Sequence, residues 1–196
     1  MIKNIPVFEA FLNDEIGIFT IALVDNPAME KQWMAFSKEE AKPMYYKVLD
    51  EAEHKVLAPV IRADFPILRK DDKGEYFYVT FSKETIYAAA EKFLKEGFQN
   101  VVRLTHQGDN YVDGFNLVQW YIKDSAKGIN PEGFEDMADG TLMAEYKVND
   151  DAIWDEIVAG TFNGISMESI FDIVPKKEEE PVIDTLEDLV KYLGIK

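Results

Sequence analysis

The chain has 196 residues, within the usual range for one compact domain, and 47% of them are hydrophobic, including 13 Phe, 9 Tyr and 3 Trp, enough to build a core. No run approaches the roughly 18 apolar residues that a membrane-crossing helix needs, and MIKNIPVFEAFLNDE meets acids before any long apolar stretch, so neither a membrane span nor a secretory signal is expected. With no cysteine, only His54 and His106 as imidazoles, and 37 acids against 21 bases for a net charge of −16, disulfides, thiol catalysis and cysteine-ligated zinc are excluded; a multi-histidine metal site is nearly so, and nucleic acid is a poor ligand.

Turn signals divide the chain into elements of ordinary length. Ile16 to Val24 is a continuous apolar run rich in β-branched residues and reads as a buried strand, ended by Asp25-Asn26-Pro27. Residues 28–46 are mixed, with Trp33, Met34 and Phe36 as local packing groups. His54 to Ile61 reads as a strand in which Pro59 points to an edge or a bulge. After the turn at 71–74, Glu75 to Phe81 alternates as a strand, and Ser82 caps a helix over Lys83 to Lys95 with Ile86, Ala90, Phe93 and Leu94 as its apolar face. Gly97 ends that helix.

Val101 to His106 is a short strand whose Val102, Leu104 and His106 share a face, followed by a polar turn over 107–110 and a long strand from Phe115 to Lys123. A Gly- and acid-rich loop covers 124–140. Thr141 to Val148 then puts Leu142, Ala144, Tyr146 and Val148 on one face, and Asn149 caps a helix over Asp150 to Ala159, closed by Gly160. Gly164 to Val174 is the last strand. PKKEEEP reads as a linker, and Thr185 to Leu193 as a short amphipathic helix that needs a surface to dock on. The expected organisation is one domain over 1–174 and a tail over 175–196. Many strands with two or three helices, out of strict βαβ order, predict an α+β fold with a mostly antiparallel, barrel-like core.

No phosphate-binding glycine loop, HExxH helix or EF-hand loop is present, and Gly164-Ile165-Ser166-Met167-Glu168 lacks the GxSxG of a hydrolase elbow. A carboxylate metal site has little support, because no acid cluster has ligand spacing. His106, at a strand end beside a glycine turn, has the setting of a general base, although a lone histidine is more often an ordinary imidazole. Ser166 shares a largely polar strand face with Glu168; a solvent-facing strand side is the plainer account, a serine nucleophile on a rigid strand the sharper one. Glu168 has two readings, an acid that orients His106 or a simply solvated side chain. Asp25 is a second acidic candidate but fits a turn better, and His54, between Glu53 and Lys55, looks like surface.

Taken in order, several segments resemble the XkdF-like phage serine proteases, relatives of the prohead proteases of tailed phages. They are GIFTIALVDNPA from Gly17, FSKEE from Phe36, YVTFSKETI from Tyr78, QNVVRLTHQGDNYVDGF from Gln99 and IWDEIVAGTFNGISMES from Ile153. The resemblance implies an assemblin-like β-barrel core flanked by helices, with Ser166 as nucleophile and His106 as base on adjacent strands. It implies no cofactor or metal. The substrates it implies are capsid- and scaffold-protein segments, and the enzyme itself, inside the prohead or the infected host's cytoplasm; homo-oligomerisation is left open. Where related prohead proteases carry an acid just before a VS-LV segment, this chain has Thr20, so the third member does not transfer and Glu168 is the expected assistant. A non-catalytic capsid- or scaffold-associated protein on the same fold is the competing expectation.

Overall fold

The computed structural model describes residues 5–13, 17–24, 47–50, 52–104, 111, 113–162 and 164–176. The expected residues of the tail helix, Trp33, Met34 and Phe36, and the candidates Asp25 and His106 lie outside them.

The described residues form a mixed α+β fold, mostly strands, with two α-helices and three sheets. One sheet has the order β11-β1-β6-β5, a second β10-β2-β7 and a third β3-β4-β9-β8. The strands are β1 (Val7–Phe11), β2 (Gly17–Val24), β3 (Lys47–Asp50), β4 (Lys55–Ile61), β5 (Ile67–Lys70), β6 (Tyr76–Phe81), β7 (Val102–Leu104), β8 (Phe115–Ile122), β9 (Leu142–Val148), β10 (Gly164–Ile170) and β11 (Asp172–Pro175). Most pairings are antiparallel, as expected, but β1–β6 and β2–β7 are parallel. The sheets do not close into a barrel among the described residues, which corrects the expected barrel-like core. One reason is visible at a corner. β1 pairs with β11 and β2 pairs with β10, so the two chain ends run as a ribbon that changes sheet. At the change, Phe11 pairs with Asp172 and Gly17 with Ile170, so five chain positions separate the two pairs on one side and Phe171 alone on the other. Such an imbalance bends a ribbon from one sheet into the next. The single strand expected over Gly164 to Val174 is therefore two, and Phe171 turns inward against Phe81, ring centroids 5.0 Å apart.

One core unites the sheets, drawing Ala10, Ile21, Val56, Ile67, Phe81, Val102, Phe115, Leu142 and Ile165 from nine different strands. Helix α1 (Lys83–Lys95) starts at Ser82, whose hydroxyl accepts from the Thr85 amide, and ends before Gly97 at φ 81°, a conformation that glycine adopts without steric cost. Its buried residues are Ile86, Ala89, Ala90 and Phe93. Ala89 thus replaces Leu94 on the expected apolar face, because the helix packs on a stripe centred between positions 86 and 93. Helix α2 (Asp151–Val158) is capped by Asp150, which accepts from the Ala152 and Ile153 amides; the expected cap, Asn149, instead donates its amide to the Gly114 carbonyl at 2.6 Å.

Strand β9 is covered on both sides. Leu142, Ala144, Tyr146 and Val148 face the main core, while Met143 joins Leu57, Phe134 and Met137 in a smaller cluster under the 124–140 loop. Its partner β4 is central, not an edge; Pro59 is tolerated because the β4–β9 register shifts between Pro59 and Ile61. His54 departs from the expected surface position. Its φ is 53°, and its ring lies flat on Trp154 at 4.5 Å.

Tyr146 is 1% exposed and its hydroxyl has no hydrogen-bond partner among the described residues, with burial pushing the phenol's pKa upward. A buried unpaired hydroxyl costs about 1–3 kcal/mol. Tyr146→Phe keeps the ring stacked on Phe115, 4.5 Å away, and is expected to raise stability by up to about that amount; the midpoint of urea unfolding measures it.

Lys123, at the end of β8, is 2% exposed. Its ammonium donates to Asp139 Oδ1 and to Ser125 Oγ, each at 2.9 Å. The same Asp139 oxygen accepts from the Ser125 hydroxyl at 2.8 Å and amide at 3.0 Å. These donors, Lys123 foremost, hold the Asp139 carboxyl at about 2. A depressed folded value contributes stability above the unfolded carboxylate range near pH 4, and that contribution is lost as the pH falls toward 2. Asp139→Ala leaves a buried ammonium without its carboxylate and is expected to destabilise far more than Lys123→Met. Denaturation at pH 7 and pH 3 checks both the ranking and the narrowing of the Asp139→Ala deficit in acid.

Candidate active site

The three-stranded sheet positions the candidate nucleophile. Ser166 on β10 lies opposite Ala22 on β2, and Ala22 lies opposite Arg103 on β7, so the three form one row across the sheet. Directly paired residues point to the same side. Ile165 and Met167, the neighbours of Ser166, turn the other way, into or against the core. Val102 is likewise on the core side, where it pairs with Ile21. Ser166 and Glu168 do share the opposite face, as strand alternation predicts, and both are half-buried. A register shift between Glu168 and Ser169 ends the regular alternation just past them.

The acid and its neighbours form a charged cluster. Glu168 Oε2 accepts from Arg103 Nη1 at 3.2 Å, with the two side chains only 24% and 23% exposed. Arg103 Nη2 donates to the Tyr111 hydroxyl at 2.5 Å, and the guanidinium carbon stands 4.6 Å from the centre of the Tyr111 ring. Arg103 was not among the residues that the sequence singled out. The available signal was parity, because Arg103 alternates against Val102 and so falls on the face that Ser166 and Glu168 use once β2 joins the strands.

Thr20, at the position where related proteases carry an acid, is buried opposite Glu168 and donates to the Val101 carbonyl at 2.5 Å. It serves as a tie between β2 and the start of β7 rather than a proton carrier. His54 pairs with Trp154 and stands 3.8 Å from Asp151, at the N-terminal end of α2. His106 and Asp25 lie outside the described residues, so the site's described members are Ser166, Glu168, Arg103 and Tyr111.

A cleft of about 990 Å³ opens elsewhere, between α1 and the end of β8, with Tyr87, Leu94, Trp120 and Ile129 on its walls and Lys123 and Asp139 at its polar end. Ser166 does not line it. Its Lys123–Ser125–Asp139 cluster is internally satisfied, and the Lys123 ammonium is already donating to a carboxylate, so it lacks the free lone pair of a base.

Over residues 65–174, more than half of the chain, the sequence matches the model of the family described as "Putative phage serine protease XkdF". The chain belongs to this family. The matched span begins just before β5 and ends in β11, and it includes Arg103, His106, Ser166 and Glu168. Neither the curated proteins nor the solved structures gave a match. For an XkdF-family chain, the strand that carries Ser166 is thus inside the family region, while its sheet partner β2 precedes it.

Proposed function

We propose that the chain is a serine endopeptidase of phage head maturation in which Ser166 is the nucleophile and His106 the base. The observation that carries this is Ser166's place: half-buried on β10, in register with β2 and beside a carboxylate on the same face, within the matched family region. Ser166 Oγ attacks the scissile carbonyl carbon as its proton passes to the His106 imidazole; backbone amides hold the oxyanion. The tetrahedral species then expels the amine, which takes the proton from the imidazolium, and water releases the acyl group by the reverse sequence. Glu168 assists by holding positive charge on that face.

The pairing makes one geometric demand. Two further residues of regular strand after Leu104 would set position 106 on the side of Val102, away from Ser166, so the chain must leave strict alternation there for the imidazole to reach the hydroxyl.

The substrates in this reading are capsid- and scaffold-protein segments inside the immature head, with cleavage of the enzyme's own 175–196 tail as a maturation step. The assemblin-type fold belongs to the same reading; β10, the strand of Ser166, pairing antiparallel with β2, which runs parallel to β7 on its other side, supports it. Coexpression with a capsid and scaffold pair tests the function. Processing by wild type that is lost in Ser166→Ala and His106→Ala is the expected result. Uncut scaffold in every case would instead favour a non-catalytic head-associated protein.

A further inference from the structure

We propose that the edge of β8 at Trp120 and Ile122 is a docking site for an extended, basic segment of another protein, which adds to the four-stranded sheet as one more strand. The proposal is independent of the Ser166 reading. It starts from where the backbone of β8 points. β8 ends the β3-β4-β9-β8 sheet, so only one of its sides is paired. The Lys123 amide donates to the Thr141 carbonyl and the Lys123 carbonyl accepts from the Gly140 amide, both at 2.8 Å, which turns Lys123 toward β9. Successive residues of an antiparallel strand alternate the side to which their backbone groups point. Tyr121, opposite Met143, therefore also bonds toward β9, whereas Trp120 and Ile122, opposite Ala144 and Leu142, direct their N–H and C=O groups outward. Among the described residues nothing pairs with those groups. The next outward residue shows what fits the edge. Asp124 exchanges both backbone bonds with Ile129, at 2.9 and 3.0 Å, in an isolated antiparallel bridge. Ile129 thus stands where a neighbouring strand would, and no residue of the 124–140 loop continues that line to Ile122.

The cleft between α1 and β8 gives the incoming strand room and a side-chain preference. Residues 120–123 all line it, so it runs along this edge, and its volume of about 990 Å³ holds several side chains. Residues paired directly across a ladder point to the same side. Those opposite Trp120 and Ile122 therefore face α1, whose Ala90 carbonyl accepts from the Trp120 indole. The helix wall of the cleft carries Glu84, Tyr87, Glu91 and Leu94, spaced along one helix face. Tyr87 and Leu94 are exposed and match apolar residues at alternate positions of the partner. Charge sets the flanks. Lys123 is held by Asp139 and Lys127 by Asp124, which leaves Glu84 and Glu91 against Lys83 alone among the charged residues of the cleft. Lysine or arginine on the incoming strand complements that excess, on a chain whose net charge is −16. The same charges disfavour a second copy, which would bring its own Glu84 and Glu91, and the chain's own 177–196 segment, in which acids outnumber bases. Nearer Phe115 the register shift between Leu117 and Gln119 interrupts the edge, which confines the site to the end of β8.

The test uses the full chain, amide hydrogen exchange read by NMR, and a peptide as the probe. In the free protein the Trp120 and Ile122 amides are expected to exchange on the order of 100-fold faster than those of Tyr121 and Lys123, which bond to β9. Protected Trp120 and Ile122 amides in the free protein would overturn the proposal, because a second copy or the chain's own tail would then hold the edge. The probe is the end-blocked peptide Lys-Thr-Val-Thr-Val-Thr-Lys, whose valines and lysines share one strand face. At saturation it should slow exchange at Trp120 and Ile122 by about 10-fold or more. Methylating the two valine nitrogens removes two donors to β8 and should weaken binding by about 10-fold or more. Methylating the two threonine nitrogens between them and after them, which face away from β8, should leave the affinity in place. A valine-methylated peptide that binds as well as its parent, or a parent that leaves both amides fast, would contradict strand addition. Glu84→Lys with Glu91→Lys, both at exposed helix positions, keeps the fold. It should weaken the lysine peptide by about 2- to 10-fold at low salt and favour a peptide with glutamate at both ends by a similar factor. A preference that the double variant leaves unchanged would overturn the assignment of a basic partner.

Discussion

Ser166→Ala is expected to remove peptide-bond cleavage, with kcat falling by about 10⁶-fold, as when the nucleophile of a serine protease is deleted. The fold should not change with it. Ser166 is half-buried, faces Ala22 across the β2–β10 pair and keeps its Cβ in the variant, so the melting temperature should match wild type. That combination separates chemistry from stability. A second serine supplies the control. Ser125 also has a lysine nitrogen 2.9 Å from its hydroxyl, which on distance alone would suggest a Ser–Lys pair. That nitrogen is committed to Asp139, and Ser125's own proton is directed at the same carboxylate. Ser125→Ala is therefore expected to lower stability somewhat and leave cleavage intact. Steady-state cleavage of a capsid-derived peptide by the two variants distinguishes them.

Phe93→Ala carries the largest expected loss of stability, about 3–5 kcal/mol. The ring is 1% exposed, stacks on Trp120 at 4.6 Å and approaches Phe98 at 6.4 Å. It is the element that seats α1 on the edge strand β8, so its removal opens a cavity that neither the helix nor the sheet can collapse into without losing other contacts. Leu94, the next residue, is 44% exposed, and Leu94→Ala should change stability by no more than about 0.5 kcal/mol. Because both residues belong to the apolar face expected from the sequence, the pair measures the rotation of the helix as well as the worth of the ring. Urea unfolding of the two variants gives both numbers.

The contrast between Phe93 and Leu94 shows where the sequence was informative. Elements written in local signals were legible: the Ser82 cap, the Gly97 stop, the strand Tyr76–Phe81 and the apolar face of Leu142–Val148 all fall where the residues place them. What local pattern does not contain is partnership. Val7–Phe11 looks like an unremarkable opening segment until β6 and β11 take it between them. Phe171 sits inside an apparently continuous strand, and only the unequal ribbon opposite it makes a corner there. Pro59 announced an irregularity correctly but not that it would be a bulge in a central strand, because edge and bulge both spare a proline its missing donor.

The site divides in the same way. Period-two alternation was enough to put Ser166 and Glu168 on one face. The Arg103–Glu168 ion pair joins residues 65 positions apart and depends on β2 lying between their strands, which no spacing rule supplies. Alternation also separates position 106 from Arg103, so the sequence's own periodicity sets the condition that the proposed catalytic pair must meet.

The central claim is that Ser166 is an activated nucleophile. Mapping by mass spectrometry the residue that a fluorophosphonate modifies in the intact chain tests it most directly. The expected result is a single adduct on Ser166, absent when His106 is replaced by alanine; an unmodified Ser166, or an adduct at Ser125 or any other serine, would contradict it.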